Sequence, residues 1–248
     1  MKYYRVVLAL FLGLVPTSFS TAQDPFGDIA GLKIAKAEDK VDVPTTPAPK
    51  DAIVLFDGKN LDNWSNRNGK DPAPWKVLPG GLLEVKSPTA DIITKQKFDG
   101  KFKLHVEFRV GYQPKATGQR RGNSGVYLQG RYELQILDNY GATKKQKDDC
   151  GALYSIAAPL ENVCKAPTVW QSFDVEFTAP KCEGGKKVAP AVATVFHNAV
   201  KIHDNVKITI DNSLRGLGGD PCTPGPILLQ ENGCPVQFRN IWIVPMKE

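Results

Sequence analysis

An all-β fold, a sandwich or jelly roll of two antiparallel sheets, is what this chain predicts, and three observations predict it. About a dozen short runs alternate apolar and polar residues, the period of a strand. Clusters of Gly, Pro, Asn and Asp separate these runs, as turns require. No run of useful length repeats apolar residues at the helical period, and there is no internal repeat. Strands without helices bury a core by packing two sheets face to face.

The first residues read as a targeting segment outside that fold. Lys2 and Arg5 give a positive start, residues 6–15 an apolar centre, and Ser20-Thr21-Ala22 a small-residue cleavage site. The apolar run is shorter than the ~20 residues that span a bilayer. No Cys follows the cleavage site, which argues against a lipid anchor. Residues 1–22 are therefore expected to be a signal peptide cleaved near Ala22. The mature chain is expected to be exported, periplasmic or secreted, with no transmembrane segment. Losing two basic residues takes the net charge from +6 to +4. So small a charge, without a basic stripe, argues against nucleic acid as a partner. The densest basic cluster, Lys144, Lys145 and Lys147, is followed at once by Asp148 and Asp149.

Residues 23–51 hold Pro25, Pro44, Pro47 and Pro49 among Thr, Ala and Lys. They read as a Pro-rich linker with at most a short ordered piece around 26–32. The remaining stretch, 52–248, is about 200 residues, enough for one all-β domain with a full core. Early strands are expected at 53–56, 75–77, 82–85 and 92–94, with turns at Asp57-Gly58-Lys59-Asn60 and Pro79-Gly80-Gly81. Later ones are expected at 103–110, 124–129, 132–136, 152–155, 172–178, 191–196, 200–203, 206–210, 226–230 and 236–244.

The pair at 122–138 is the centre of the pattern. Ser124, Val126 and Leu128 alternate with Gly125, Tyr127 and Gln129, and Gly130-Arg131 makes the turn. On the return, Tyr132, Leu134 and Ile136 alternate with Glu133 and Gln135, setting a carboxylate beside an amide on the face away from the apolar residues. Such a face can hold a polar ligand or can simply be solvated. Residues 103–110 repeat it, with His105, Glu107 and Arg109 opposite Leu104, Val106, Phe108 and Val110. If the two strands share a sheet, one surface carries Glu107, Arg109, Glu133 and Gln135, with Asn123 near its end. The donors of Arg and the acceptors of carboxylates suit sugar hydroxyls. A surface ion-pair network is the plainer alternative.

Five cysteines allow disulfides in an exported protein. Cys150–Cys164 and Cys222–Cys234 are the pairs nearest in sequence, which leaves Cys182 as an odd thiol. There is no CxxC, HExxH, GxSxG, P-loop or dinucleotide fingerprint.

Several stretches taken together carry a resemblance. They are LFDGKNLDNW (55–64), Trp75 in PWKV, GNSGVYLQGRYELQILDNYG (122–141), GALY (151–154), APLENVCKAPTVWQSFDVEFTAP (158–180), TVFHNAV (194–200) and GPILLQENGCPVQFRNIWI (225–243). In combination they resemble the family once called domain of unknown function 1080 and now the 3-keto-disaccharide hydrolase family, over residues 52–246. The resemblance implies a concanavalin-like jelly roll. It also implies a glycoside hydrolase or lyase whose substrate is an oxidised di- or oligosaccharide or glycoside with a ketone at C3. Such a ketone acidifies the hydrogen on C2, so a general base can remove it and the oxygen on C1 departs by β-elimination. Added water would make the net reaction hydrolysis.

Carried onto this chain, the resemblance implies Glu133 as base or metal ligand, with Asp138 and His197 as further catalytic candidates. It implies Arg109, Asn123, Gln135, Tyr154, Gln230 and Arg239 as substrate-binding candidates. A divalent metal ion is left open as cofactor. Asp138 has the opposite parity to Glu133 and needs a bulge or strand end to join it, and a lone His before a turn is as readily structural. Trp64, Trp75, Trp170 and Trp242 can stack on a sugar ring or fill the core. The family often reads HNG where this chain has His197-Asn198-Ala199, and DHG where it has Glu231-Asn232-Gly233. The latter change removes a His from the expected pocket rim. A non-catalytic carbohydrate-binding module on the same fold is the alternative, and an envelope interaction domain with the Pro-rich stretch as spacer is a third reading.

Overall fold

The computed structural model describes residues 26–247, so the expected targeting segment lies outside the described residues. Fifteen strands follow one another there with only two 3₁₀ turns, Ala37–Lys40 and Gly118–Arg120. The first five are β1 (Ile53–Phe56), β2 (Trp64–Asn66), β3 (Lys76–Leu78), β4 (Leu82–Glu84) and β5 (Ile92–Thr94). Next come β6 (Lys101–Val110), β7 (Ser124–Leu128), β8 (Tyr132–Ile136) and β9 (Gln171–Thr178). The last six are β10 (Lys181–Glu183), β11 (Lys186–Ala189), β12 (Ala191–His197), β13 (Val200–Ile208), β14 (Leu228–Leu229) and β15 (Val236–Met246).

Two antiparallel sheets form the sandwich. The large one runs β13-β12-β9-β6-β15-β4-β3, with β1 also paired to β15, and the small one runs β2-β5-β14-β7-β8. A separate ribbon joins β10 and β11. The fold is the all-β jelly roll that the alternation predicts. Leu104, Val106, Phe108 and Val110 of β6 meet Val126, Leu128, Leu134 and Ile136 of the small sheet in one buried core. Burying each such side chain stabilises the fold by roughly 1.5–3 kcal/mol. Trp64 and Trp75 belong to this core, their indole N–H groups donating to Leu55 O (2.8 Å) and Ala90 O (2.9 Å).

Several expectations meet a different structure. Residues 152–155 are not a strand; Leu153 makes only isolated bridges to Leu134 and Ala157. The stretch nevertheless covers the free edge of β8, through Gly151 N–H to Gln135 O, Gln135 N–H to Ala152 O and Tyr154 N–H to Glu133 O. Runs 200–203 and 206–210 fuse into the single strand β13. The β12–β13 turn keeps its left-handed form without glycine, at Asn198 (φ 52°) and Ala199 (φ 65°). An alanine there costs about 1 kcal/mol.

The Pro-rich stretch is laid across the outer face of the large sheet over its described residues. Val43 N–H donates to Trp170 O, Tyr112 N–H to Phe26 O, and Asn240 and Trp242 side chains donate to Thr46 O. Proline supplies no donor, so the tie runs through the residues between the prolines.

The cysteine pairing is corrected. Cys182 is bonded to Cys222 across 40 residues, and Cys150, Cys164 and Cys234 are free and buried. Nearness in sequence misled because the β10–β11 ribbon brings Cys182 to the 211–225 loop.

Candidate active site

β7 and β8 pair so that Tyr127 lies opposite Glu133 and Gly125 opposite Gln135, all on the outer face of the small sheet. Gln230 follows β14 and donates its backbone N–H to Gly125 O, joining the same row. Every residue of both strands is buried, and Gly125 is the one on this face that has no side chain. A Cβ there would lie 2.7 Å from Glu133 Oε1, so the glycine leaves the room the carboxyl occupies.

Around Glu133 is a cleft of about 60 Å³, lined by Gln119, Asn123, Glu133, Gln135, Tyr154, Leu214, Arg215, Gln230 and Asn232. Three amide oxygens that line it, Asn123 Oδ1, Gln135 Oε1 and Gln230 Oε1, are buried without a hydrogen-bond partner. Their nitrogens are all committed, which fixes the orientation of each amide. Asn123 Nδ2 (3.0 Å) and Gln135 Nε2 (2.9 Å) both donate to Gln119 Oε1. Gln230 Nε2 donates to the Tyr127 hydroxyl (2.8 Å) and more weakly to Glu133 Oε1 (3.4 Å). Gln119 is held in turn by donating to Asp148 O (2.8 Å). Buried acceptors left open are costly and are met by donors from water or from a ligand.

Glu133 itself is only 4% exposed. Burial raises its carboxyl, and contact with Tyr127 and the charge of Arg215 offset part of the rise, leaving it at about 7. The cation at the rim is Arg215, donating to Asn232 Oδ1 (2.7 Å) and Glu231 O (3.0 Å). A loop over residues 211–225 closes this side: Ser213 Oγ accepts from Glu133 N–H, and the Tyr127 hydroxyl donates to Leu214 O. Burial pushes the Tyr127 phenol far up, so it stays neutral.

Of the candidates named from sequence, Glu133, Asn123, Gln135, Tyr154 and Gln230 share this cleft. The others are elsewhere. β6 and β8 belong to different sheets, so Arg109 and Glu107 never join Glu133. Arg109 pairs with Gln237 Oε1 (2.8 Å) and lies over the Phe26 and Trp170 rings, and Arg239 donates to Glu107 Oε2 (2.6 Å). Asp138 is tied to Arg121 (3.1 Å) and accepts from Tyr140 N–H. His197 sits in the core against Phe108 and Phe173, pushed down to about 3 by burial. Sequence reading missed Gln119, Tyr127 and Arg215, and set Asn232 at the expected pocket rim only as part of a departure from the family motif. Tyr127 had a signal, sharing the parity of Gly125; Gln119 and Arg215 lie in loops with none.

A broader cleft of about 440 Å³ includes Ser65, Ile93, Lys97, Gln129, Arg131 and Pro226. It is the larger cavity but holds no carboxylate, and the Arg131 guanidinium is spent on carbonyls, including Gly218 O, Thr223 O and Asp220 O. Of the two, the smaller cleft is the one lined by a carboxylate.

This is a jelly roll that sets a buried carboxylate and open amide oxygens on one sheet face, a donor-poor cleft whose acceptors suit hydroxyl groups. The 3-keto-alpha-glucoside-1,2-lyase-like domain matches residues 51–244, and the chain belongs to that family. A protein of Parabacteroides distasonis, provisionally described as a glycosyl hydrolase, is similar at 37% identity with a TM-score of 0.73, over 80% of this chain and 85% of that one. A second protein of that organism with the same provisional description is 20% identical with a TM-score of 0.57, over 80% of this chain and 95% of that one, a likeness of fold alone. No curated protein matches.

Proposed function

We propose that the chain cleaves glycosides already oxidised to a ketone at C3, with Glu133 as general base. The observation that carries this reading is a buried carboxyl facing three unpartnered amide oxygens in one cleft. A carboxyl held near neutrality suits proton abstraction at physiological pH. The Glu133 carboxylate takes the proton from C2, and the electron pair spreads onto the C3 oxygen as an enolate. The enolate then expels the C1 oxygen, which receives the proton, leaving an enone sugar and a free alcohol. Water added at C1 completes hydrolysis; release before that step makes the chain a lyase. Arg215 at the rim faces the growing oxyanion, and the open oxygens of Asn123, Gln135 and Gln230 accept from the ring hydroxyls. A cleft of about 60 Å³ admits one edge of a sugar ring and leaves the aglycone outside.

The amide oxygens of Asn123, Gln135 and Gln230 also form an all-oxygen donor set of the kind that suits a hard divalent cation, which would take the place of their bonds to ring hydroxyls beside Glu133. Bound there, such a cation would polarise the keto oxygen and add to the enolate stabilisation.

The Trp side chains offer no stacking platform: all four are buried. That favours chemistry over a lectin-type module. The Cys182–Cys222 bond suits an oxidising compartment, in keeping with export.

The test is to incubate the chain with a chromogenic 3-keto-glucoside and with its unoxidised parent, with and without chelator. The expected result is release from the keto compound alone, abolished in Glu133→Gln. Equal release from both compounds, or activity that survives Glu133→Gln, would sink the mechanism.

A further inference from the structure

Away from the cleft, Cys150, Cys164 and His197 place two thiol sulfurs and one imidazole nitrogen within 4.8 Å of one another, all three residues buried. Cys150 comes from the loop after β8, Cys164 from the crossing that precedes β9, and His197 from the end of β12. The histidine's tautomer is set by its partner. Gln171 Oε1 accepts from the Lys165 backbone N–H (2.8 Å), so it is the amide oxygen, and His197 Nε2 at 3.0 Å must carry the proton. That leaves a lone pair on Nδ1, which faces the backbone beside Cys150: a Cβ on Gly151 would lie 3.8 Å from it. An imidazole anchored by its far N–H and offering its near nitrogen is the arrangement metal-binding histidines adopt.

We propose that Cys150 Sγ, Cys164 Sγ and His197 Nδ1 form a site for a thiophilic divalent cation of the zinc type. Bonds of about 2.3 Å to sulfur and 2.0–2.1 Å to nitrogen put tetrahedral ligands roughly 3.5–3.8 Å apart, within reach of the spacing present. Charge decides for a divalent ion. Two thiolates and Zn²⁺ sum to zero, which a buried site tolerates, whereas two bare thiolates do not. Binding releases the two thiol protons, so occupancy rises with pH. Cys164 also borders a surface cleft of about 390 Å³, which gives the ion a way in. A disulfide between the two cysteines is the competing outcome, but a disulfide has no use for the oriented histidine.

The site would brace the candidate active site from behind. Cys150 lies two residues after Asp148, whose carbonyl accepts from Gln119 and Gln135, and Cys150 N–H is held by Asn139 Oδ1 (2.7 Å). Fixing Cys150 to β12 fixes that loop.

The test counts zinc in the full chain, after zinc loading and desalting, by elemental mass spectrometry. The expectation is about one equivalent in the wild type, kept in Cys234→Ser and in Glu133→Gln and lost in Cys164→Ser. Replacing zinc by Co²⁺ should give a thiolate-to-metal charge-transfer band in the wild type alone of the wild-type and Cys164→Ser pair. Retention of Glu133→Gln occupancy separates this site from any cation at Glu133. A wild-type chain that takes up no zinc, whether the two cysteines are recovered as thiols or as a disulfide, overturns the proposal. So does zinc that stays in the Cys164→Ser, Glu133→Gln double variant.

Discussion

Glu107 and Glu133 start from the same local pattern, a glutamate on the polar face of an alternating strand, and finish as opposites. Glu107 projects from the outer face of the large sheet and is fully buried beneath the 42–46 segment. It accepts from Arg239 (2.6 Å), Asn240 (2.7 Å), Thr45 and the Thr46 N–H, and His105 stands at 3.4 Å. Burial alone would raise its carboxyl; His105, Asn240 and Arg239 outweigh that and hold it at about 2. Glu133 has one weak side-chain donor and three neighbouring acceptors that lack donors, and it rises to about 7. A glutamate whose bonds are complete holds the structure together. One whose surroundings are incomplete is available to a ligand.

The comparison breaks most visibly by neutralising each carboxylate in turn. Glu133→Gln should lower turnover of a 3-keto-glycoside by about 10²–10⁴-fold, with an unchanged or raised melting temperature, because it removes a buried charge. Glu107→Gln should do the reverse. Losing the charge that faces Arg239 should cost about 2–3 kcal/mol in denaturant unfolding, with per-folded-molecule turnover kept. Activity lost to the same degree in both variants would mean the two clusters are not distinct in role.

A smaller effect comes from the glycine beside the site. Gly125→Ala puts a methyl 2.7 Å from Glu133 Oε1 and 3.2 Å from the buried Tyr127 ring. The carboxyl should be displaced with some loss of stability, and turnover per folded molecule should fall by roughly 10–10²-fold. An unchanged rate would show that the carboxyl position is not critical.

The smallest effect is the sharpest in sign, read as stability against pH in chelator-treated protein. Glu133 binds its proton more tightly folded than unfolded. Its contribution is therefore full below the ordinary glutamate value near 4.5 and is lost as pH rises through about 7. Glu107 binds its proton less tightly folded. Its contribution is present above 4.5 and is lost as pH falls through about 2. Glu133→Gln should flatten the slope between 4.5 and 7, and Glu107→Gln the slope between 4.5 and 2. The same flattening in both variants would erase the contrast drawn here.

The chain by itself determined the fold class and the central pairing. Strand alternation and turn residues are local properties, so the sandwich, the β7–β8 hairpin and the adjacency of Glu133 and Gln135 could be read directly. Asn123, Tyr154 and Gln230 were legible through the motifs that surround them. Only the tertiary structure decided which polar face is covered. The period of two makes Glu107 and Glu133 look alike, and nothing local to β6 says that residues 42–46 will cross it. Gln119, Arg215 and Asn232 reach the Glu133 cleft from loops far apart in sequence, and Cys222 passes over Cys234, its neighbour in sequence, to bond Cys182. Such contacts depend on how long connections close over a finished sheet, and closure is a property of the whole chain.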